Sequence, residues 1–204
     1  QSIANKSMLD ELYIYDKRHG WRDPDNYEDM FNDREIESLK NQELDIIVNN
    51  IYFGDEYLDE KNIANKVSSL FDSYPYIRTH SKALVVRVSD NEIILVDENF
   101  EIKTVKWSNE YSWARKKISI DQLDIRPKGF NDIVSFGDFV YLKLNNDFYS
   151  LDQTPEAEGS LISINPDSGE VIAYIGGKNF NESNFDRIRL SFPQSGSSFK
   201  PFIY

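Results

Sequence analysis

Apolar residues recur at intervals of three and four along the first third of the chain, and in short continuous or alternating runs beyond it. The first pattern is typical of amphipathic helices and the second of strands. The N-terminal segment is predicted to form a helix with an apolar face made of Ala4, Met8, Leu12 and Tyr15. Cationic residues precede Gly20, so we expect His19 to cap the last turn and Gly20 to end the helix in a left-handed conformation.

Two further helices are predicted before the spacing changes. One opens at Asp33 and ends near Gly54, and its apolar stripe is formed by Ile36, Leu39, Ile47 and Ile51. The other is capped by Asp59 and stopped by Pro75, and its apolar face is formed by Ile63, Val67, Leu70, Phe71 and Tyr74. The charged residues between these positions are interpreted as the solvated faces of the two helices.

From Ser81 onward, short runs rich in β-branched and aromatic residues alternate with clusters of turn-forming residues. Five strands are predicted, at residues 83–88, 93–96, 101–107, 139–144 and 148–151. Several short strands joined by turns indicate a small barrel of the OB type. We expect Trp107 and Trp113 to lie in or near its core.

A second β unit is predicted after the barrel. It consists of a strand at residues 159–164, a turn at residues 165–169 and a second strand at residues 170–175. Pro166 and Gly169 occupy positions that favour a tight turn, so the pattern predicts a hairpin. Gly176 and Gly177 end the second strand, and a polar loop is expected from Lys178 to Ser195.

Composition and charge narrow the possible functions. The formal net charge of −12 at pH 7 argues against a general nucleic-acid binder and against electrostatic docking on an anionic membrane. The chain has no cysteine, which excludes disulfides and thiolate metal sites, and its two histidines argue against a histidine zinc site or a Ser-His-Asp triad. No apolar stretch is long enough to span a bilayer. Because the chain starts at Gln1, we interpret it as an internal piece of a longer protein.

Ser197 and Lys200 form the candidate catalytic pair. They are three positions apart, so a helix would place them on one face, with Ser197 in the first turn after Gly196. A serine hydroxyl is a poor nucleophile at neutral pH and needs a neighbouring base, a role that an unprotonated Lys200 amine could fill. Spacing alone also fits a helix start that carries a surface lysine, so the pair by itself leaves both interpretations open.

The residues around this pair carry a family resemblance. The segment Gly196-Ser197-Ser198-Phe199-Lys200-Pro201-Phe202 resembles the active-site entry of class A high-molecular-weight penicillin-binding proteins. The hairpin that ends at Gly177 resembles the opening strands of their transpeptidase domain. The connecting segment of the family is matched by Asn179, Phe180, Ser183, Phe185 and Arg187. Residues 15–22 are similar to the stretch that follows the glycosyltransferase domain in the 1A type. Trp107 with residues 113–115 is similar to the OB-like insert of the same type.

The resemblance implies a bifunctional peptidoglycan synthase that cross-links stem peptides by D,D-transpeptidation. In the parent protein Ser197 would attack the penultimate D-alanine carbonyl, Lys200 would be its base, and an amine of a second stem would take the acyl group. The implied partners are lipid II-derived stem peptides and β-lactams, which would acylate the same serine, and no cofactor or metal is implied. The implied location is the periplasmic side of the Gram-negative inner membrane, with a membrane anchor outside this chain.

The resemblance also divides the chain and sets its fold class as α+β. We expect a small OB-like β-barrel with helical segments, followed by the first β-hairpin and helix start of a penicillin-binding (serine β-lactamase-like) transpeptidase domain. Residues 1–25 are expected to be a helical linker that follows an absent glycosyltransferase domain. Residues 26–155 are expected to hold a helical segment with the OB-like domain, and residues 156–204 a truncated transpeptidase domain. The remaining family motifs, Ser-x-Asn and Lys-Thr-Gly, would lie beyond Tyr204, so the chain alone is expected to be inactive.

The loop before the serine departs from the family pattern. Asp186 stands where family members usually carry Asn, and residues 193–196 read Pro-Gln-Ser-Gly in place of the usual Arg-Gln-Pro-Gly. Ile188, Arg189 and Leu190 also replace the usual small or polar residues. These changes leave both positions of the candidate catalytic pair intact.

Two alternatives stand beside the enzyme interpretation. In one, the region from about Asn26 to Leu151 is a docking module, because the OB-like insert of Gram-negative 1A proteins contacts an outer-membrane lipoprotein activator by family resemblance. In the other, the chain holds an unrelated OB domain in which the Ser-x-x-Lys match arises by chance.

Overall fold

The computed structural model describes residues 1–41, 58–77, 79–145, 148–180, 183–192, 200 and 203. The chain divides into two compact units. The barrel unit is Asp16–Thr154, and the terminal unit is Gln1–Tyr15 together with Pro155–Tyr204. The three-part division predicted from the sequence stays a prediction.

Helices and strands are mixed along the chain, as expected for an α+β fold. The α-helices of the described residues are α1 (Ser2–Arg18), α2 (Asp33–Lys40), α3 (Leu58–Ser73) and α4 (Arg187–Leu190). The strands of the described residues are β1 (His80–Val88), β2 (Glu92–Asp97), β3 (Ile102–Lys106), β4 (Phe139–Asn145), β5 (Phe148–Asp152), β6 (Leu161–Ile164) and β7 (Val171–Ile175). Single turns of 3-10 helix occur at Glu28–Met30, Asn109–Trp113 and Phe130–Asp132.

Helices α1 and α3 confirm the helices predicted in those regions. The α1 helix ends as expected, because Gly20 has φ +89° and its amide donates to the carbonyl of Lys17. Met8 is the buried residue of the predicted α1 face, whereas Tyr15 is exposed. The apolar face of α3 is buried as predicted at Ile63, Val67, Leu70 and Phe71.

The predicted second helix is shorter than the sequence suggested. It begins with a capping box, in which the Asn32 side chain accepts from the Glu35 amide and the Glu35 carboxylate accepts from the Asn32 amide. It ends at Lys40, because Asn41 adopts extended backbone angles of φ −83° and ψ 171°. A continuous helix to Gly54 is therefore wrong, and the predicted stripe positions Ile47 and Ile51 lie outside the described residues.

Strands β1 to β5 form one antiparallel sheet in the order β3-β2-β1-β4-β5. The pairing of β1 with β2 is interrupted by a bulge between Val85 and Arg87, and a bulge increases local twist. The ammonium group of Lys103 on β3 lies 5.0 Å from the ring centre of Tyr149 on β5, so the two edge strands approach each other. The sheet is therefore curled into an antiparallel half-barrel, which confirms the predicted OB-like fold.

Both faces of this sheet are buried along the middle of β1, which explains the uninterrupted apolar run from Ala83 to Val86. Ala83 and Val85 belong to one core and Leu84 and Val86 to the other, following the two-residue period of a strand. Aromatic side chains complete the first core: Trp21, Tyr111 and Phe130, with Trp107 and Trp113 packed against it. Helices α2 and α3 cover the second core with Leu39, Ile63, Val67, Leu70 and Phe71.

The expected positions of Trp107 and Trp113 are confirmed, but the most buried tryptophan is Trp21, which the apolar pattern did not predict as a core residue. Its side chain is 2% exposed, and its indole Nε1 donates to the carbonyl oxygen of Ile133 at 2.8 Å. The ring also meets Trp113 edge-on with 5.7 Å between centroids. A buried indole needs a partner for its N–H, and the Ile133 carbonyl supplies it.

The predicted hairpin is confirmed in the terminal unit. Strands β6 and β7 pair antiparallel from Leu161 opposite Ile175 to Ile164 opposite Val171. In the turn, Gly169 has φ +74°, a conformation that L side chains rarely adopt. The hairpin and its turn therefore form where the sequence predicted them.

The polar loop predicted after the hairpin contains the short helix α4, so that prediction was wrong in part. Asp186 precedes α4, and its carboxylate accepts hydrogen bonds from the amides of Ile188 and Arg189. An aspartate at this position satisfies amides that the first turn of a helix leaves unpaired. The polar composition of the loop concealed this local cap.

Candidate functional site

Of the predicted catalytic pair, Ser197 lies outside the described residues. Lys200 is described and exposed, and its carbonyl oxygen accepts a hydrogen bond from the amide of Ile203 at 2.9 Å. Their roles as nucleophile and base stay a prediction.

The approach to this pair is residues 176–192, which come after the hairpin and before the serine–lysine segment, residues 196–202. Its described residues make contacts within the terminal unit. The amide of Arg187 donates to the carbonyl oxygen of Gly176 at 2.8 Å. A Cβ on Gly176 would lie 2.6 Å from Oδ1 of Asp186, so this close approach requires a glycine. The end of β7 and the start of α4 are therefore in direct contact.

Tyr174 on β7 forms a second connection to the same aspartate. Its hydroxyl donates to Oδ2 of Asp186 at 2.6 Å, while Oδ1 accepts from the amides of Ile188 at 3.0 Å and Arg189 at 3.3 Å. The hydrogen bond from Tyr174 is the main influence that lowers the pKa of Asp186 below its ordinary value. The carboxylate is thus held in its charged form by one side chain and two backbone amides.

The carboxylate of Glu158 lies near two cationic side chains of the approach. Lys178 Nζ lies 3.8 Å from Oε1 of Glu158 and donates to the carbonyl oxygen of Pro155 at 2.5 Å. Arg187 Nη2 lies 3.4 Å from Oε2 of the same carboxylate. Glu158 and Pro155 are thus connected to the approach at Lys178, before Asp186, and Glu158 also at Arg187, directly after it.

The hairpin of the terminal unit has one buried side and one exposed side. Ala173 and Ile175 are buried, whereas Ile162, Ile172 and Tyr174 are exposed. A strand pair that is apolar on both sides is typical of a sheet with layers on both faces. The exposed side is therefore a surface suited to further packing.

A buried ionic cluster lies at the end of β5 in the barrel unit. Asp152 has a fully buried side chain, with Lys17 Nζ 3.1 Å from Oδ1 and His80 Nε2 3.3 Å from Oδ2. Burial acts to raise the pKa of Asp152, but the hydrogen bond from His80 and the charge of Lys17 outweigh it and hold the pKa below 3.8. The cluster joins the last turn of α1 to the sheet.

A second polar cluster joins the first and last residues of the barrel unit. Arg22 binds Asp16 through two parallel hydrogen bonds of 2.9 and 3.0 Å and donates to the carbonyl oxygen of Thr154 at 2.6 Å. Gln153 Nε2 donates to Asp16 Oδ2 and to the carbonyl oxygen of Gly20, both at 2.8 Å. These contacts are structural, and they place the two ends of the barrel unit side by side, as in a domain inserted into a longer chain.

The barrel unit also presents an apolar surface, the isoleucine loop, which consists of the exposed residues Ile118, Ile120 and Ile125. The amides of Ile118 and Ser119 both donate to the carbonyl oxygen of Gln122, forming a tight turn with Ile120 at its tip. Ile120 is 86% exposed. Large exposed aliphatic side chains at nearby positions of one loop are candidates for a protein contact.

The described residues contain no group of three or more His, Asp or Glu side chains that could hold a metal ion. No helix among them combines the length and the apolar character that crossing a bilayer requires.

Comparison with known proteins gives these features a family. The family model described as the penicillin-binding protein OB-like domain matches residues 54–157. The chain belongs to this family. The matched residues include the whole of the curled sheet β1 to β5.

Relatives of this family resemble the chain over its full length. The chain is 25% identical to penicillin-binding protein 1A of Vibrio cholerae and 28% identical to that of Escherichia coli K12, in both cases over 100% of its length. The alignments cover 22% and 21% of these two relatives, so the chain spans about a fifth of their length. The predicted resemblance to the 1A type is therefore confirmed.

A solved structure shows the same fold. The chain matches the crystal structure of penicillin-binding protein 1A from Haemophilus influenzae with a TM-score of 0.66 and 22% sequence identity. The match covers 100% of this chain and 24% of that one. The mixed helix-and-strand fold with an OB-like domain is thus shared with a penicillin-binding protein.

Sequence reasoning missed three residues that organise the approach and the barrel ends. Tyr174 was interpreted only as a strand residue, Asp186 as a departure from the family pattern, and Asp16 as part of a matching stretch. For Asp186 a signal was present, because an aspartate two residues before an apolar residue can cap a helix. One partner of Asp16 is Gln153, which lies 137 positions away in the chain, and no local pattern reports that contact.

Proposed function

We propose that the chain is part of a peptidoglycan synthase that cross-links stem peptides through a serine acyl-enzyme. Ser197 is the nucleophile that attacks the penultimate D-alanine carbonyl, and Lys200 is the base that takes its proton. An amine of a second stem peptide then accepts the acyl group. The parent protein also polymerises glycan strands in a separate domain and acts at the periplasmic side of the inner membrane.

The observation that carries this proposal is the extent of the similarity to penicillin-binding protein 1A. It covers 100% of the chain, so it includes the hairpin, the approach and the serine–lysine segment as well as the OB-like domain. A barrel with a chance Ser-x-x-Lys match would not share the order of elements on both sides of the barrel. The resemblance of the segment from Gly196 to Phe202 then assigns the chemistry to Ser197 and Lys200.

Labelling of the full-length parent protein with a fluorescent penicillin tests the proposal. We expect Ser197→Ala to abolish labelling, because no acyl-enzyme can form without the hydroxyl. Lys200→Ala should also abolish it, since no other base follows the serine by one helical turn. Ser198→Ala is the matched control, because it removes a neighbouring hydroxyl and should reduce labelling only modestly.

Two results would contradict the assignment. Full labelling of the Ser197→Ala protein would show that another residue carries the acyl group. Equal loss of labelling in the Ser197→Ala and Ser198→Ala proteins would indicate a folding defect and remove the support for Ser197 as nucleophile.

A second function is favoured by the isoleucine loop of the barrel unit. We propose that the OB-like domain also docks an envelope protein, an outer-membrane lipoprotein activator, through Ile118, Ile120 and Ile125. The three exposed aliphatic side chains on one short turned segment support a protein contact over nucleic-acid binding, which the net charge of −12 disfavours. Docking and catalysis then belong to different units of the chain.

Site-specific photo-crosslinking in the parent protein separates this function from the enzyme proposal. A crosslinker at Ile120 should form an adduct with a lipid-modified envelope protein, identified by mass spectrometry. A crosslinker at Leu144 is the control, because Leu144 is also an exposed apolar residue of the barrel but lies in β4. Equal adducts at both positions, or none at Ile120, would contradict docking by the isoleucine loop.

A further inference from the structure

Asp186 occupies a junction in the terminal unit. Its carboxylate receives one hydrogen bond from the side chain of Tyr174 on β7 and two from backbone amides of α4. The neighbouring amide of Arg187 donates to the carbonyl oxygen of Gly176 at 2.8 Å. The strand and the short helix are thus connected by a side-chain link and a backbone link that do not depend on each other.

Helix α4 has little besides these links to hold it. It is four residues long, and none of its residues is buried. Helices this short are not stable on their own, and burial of an apolar face usually supplies their stability. Because α4 lacks that burial, its orientation depends on the cap by Asp186 and on the contacts of Gly176 and Arg187.

Asp186 and α4 come shortly before the proposed nucleophile in the chain. Asp186 precedes Ser197 by eleven residues, and α4 occupies the first four of them. Acyl transfer is sensitive to small displacements of the reacting groups, with a misplacement of about 1 Å costing about a hundredfold in rate. A residue that fixes the approach can therefore affect the reaction without contacting the substrate.

We propose that Asp186, oriented by Tyr174, is a positioning residue for the serine acyl transfer. It holds the approach in one direction relative to the hairpin, so that the serine–lysine segment begins from a fixed point. This inference rests on the function proposed for Ser197. It assigns a role to a side chain whose contacts are all with the protein itself.

The chemistry of the junction supplies a conservative variant. In Asp186→Asn, the amide oxygen can still accept from the two backbone amides, and the new NH₂ group can donate to the Tyr174 hydroxyl, which then acts as the acceptor. Asp186→Ala removes all three hydrogen bonds, and Tyr174→Phe removes one of them. The three variants therefore differ in the number of links that they retain.

The test measures the kinetics of acylation of the full-length protein by a fluorescent penicillin, separating the rate constant from the labelled fraction. We expect Asp186→Ala to lower the acylation rate constant about tenfold to a hundredfold, with non-covalent affinity for the penicillin little changed. Asp186→Asn should stay within about threefold of wild type, and Tyr174→Phe should fall between the two. Adding Tyr174→Phe to Asp186→Ala should cause no further loss, because the two residues act through one link.

Asn32→Ala is the matched control. It removes a helix cap of the same kind from α2 in the barrel unit, and it should leave the acylation rate constant unchanged. A folding defect in any variant lowers the labelled fraction, whereas loss of positioning lowers the rate constant of the fraction that is labelled. The conservative variant adds a second criterion, because a general loss of stability has no reason to be rescued by Asn alone.

Three outcomes would overturn the inference. They are acylation of Asp186→Ala at the wild-type rate, failure of Asp186→Asn to restore the rate, and equal slowing by Asn32→Ala. Failure of the proposed function is seen separately, because the wild-type protein would then show no label at Ser197. That result would remove the reaction that Asp186 is proposed to assist, and so would overturn the inference too.

Discussion

The barrel unit and the terminal unit both contain strands with apolar residues on both faces, but only the barrel unit buries both faces. In the barrel unit, β1 alternates between two cores, and neighbouring strands and helices bury both of its faces. In the terminal unit, β7 buries Ala173 and Ile175 but leaves Ile172 62% exposed. Apolar residues on both faces of a strand therefore indicate that each face is suited to packing against another layer. Only the neighbouring elements show whether that layer is present.

The largest expected effect concerns the core of the barrel unit. Trp21→Ala should destabilise this unit by about 4 kcal/mol, because it leaves a large cavity and an unpaired carbonyl at Ile133. Denaturant unfolding of the chain followed by tryptophan fluorescence measures this. All three tryptophans, Trp21, Trp107 and Trp113, lie in the barrel unit, so the signal of the remaining two reports on it alone.

Ile172→Ala provides the control for this comparison. It shortens an exposed apolar residue of the terminal unit, and the barrel should lose less than about 0.5 kcal/mol. Comparable losses in the two variants would contradict the assignment of the Trp21→Ala effect to the core of the barrel unit.

The next largest effect concerns the buried cluster of the barrel unit. Asp152→Asn should destabilise it by about 3 kcal/mol near neutral pH, because it removes the charge that compensates Lys17 and accepts from His80. The pKa of Asp152 is depressed, so its contribution is complete above the ordinary value of 3.8 and is lost as pH falls through the lower folded-state pKa. The stability difference between wild type and Asp152→Asn should therefore shrink below about pH 4.

Unfolding by denaturant at a series of pH values tests this sign. A difference between the two proteins that grows as the pH falls below about 4 would contradict the assignment of Asp152 as a carboxylate that is stabilised in the folded state.

A smaller effect is expected at the capping box of α2. Asn32→Ala should cost about 1 kcal/mol of barrel stability, because it leaves the amide of Glu35 without its cap. The same fluorescence experiment measures this loss. A loss as large as that expected for Trp21→Ala would show that α2 is held by its cap more than by the packing of Leu39.

Much of this architecture could be predicted from local patterns. The strands of the half-barrel and the hairpin, the end of α1 at Gly20 and the buried face of α3 all follow from apolar spacing and turn residues. The order of these elements, with the resemblance of the serine–lysine segment, also led to the penicillin-binding protein family. Local spacing was sufficient for these elements because helices and strands differ in the spacing of their apolar residues.

The remainder depends on contacts between distant residues. The end of α2 at Lys40 could not be predicted, because the apolar spacing continues past it to Ile47. Trp21 is buried by residues that follow it by about a hundred positions, such as Ile133. The links of Asp186 to Tyr174 and Gly176 likewise require a strand and a loop to be adjacent in space, which a sequence pattern does not report.

Native-state hydrogen exchange of the 204-residue chain tests most directly the claim that the central strands of the barrel are covered on both faces, whereas the hairpin has one exposed side. We predict that amides in β1, β2 and β4 exchange at least about tenfold more slowly than those in β6 and β7, because opening the barrel exposes two cores. Equal protection of the two sets of strands would contradict the account.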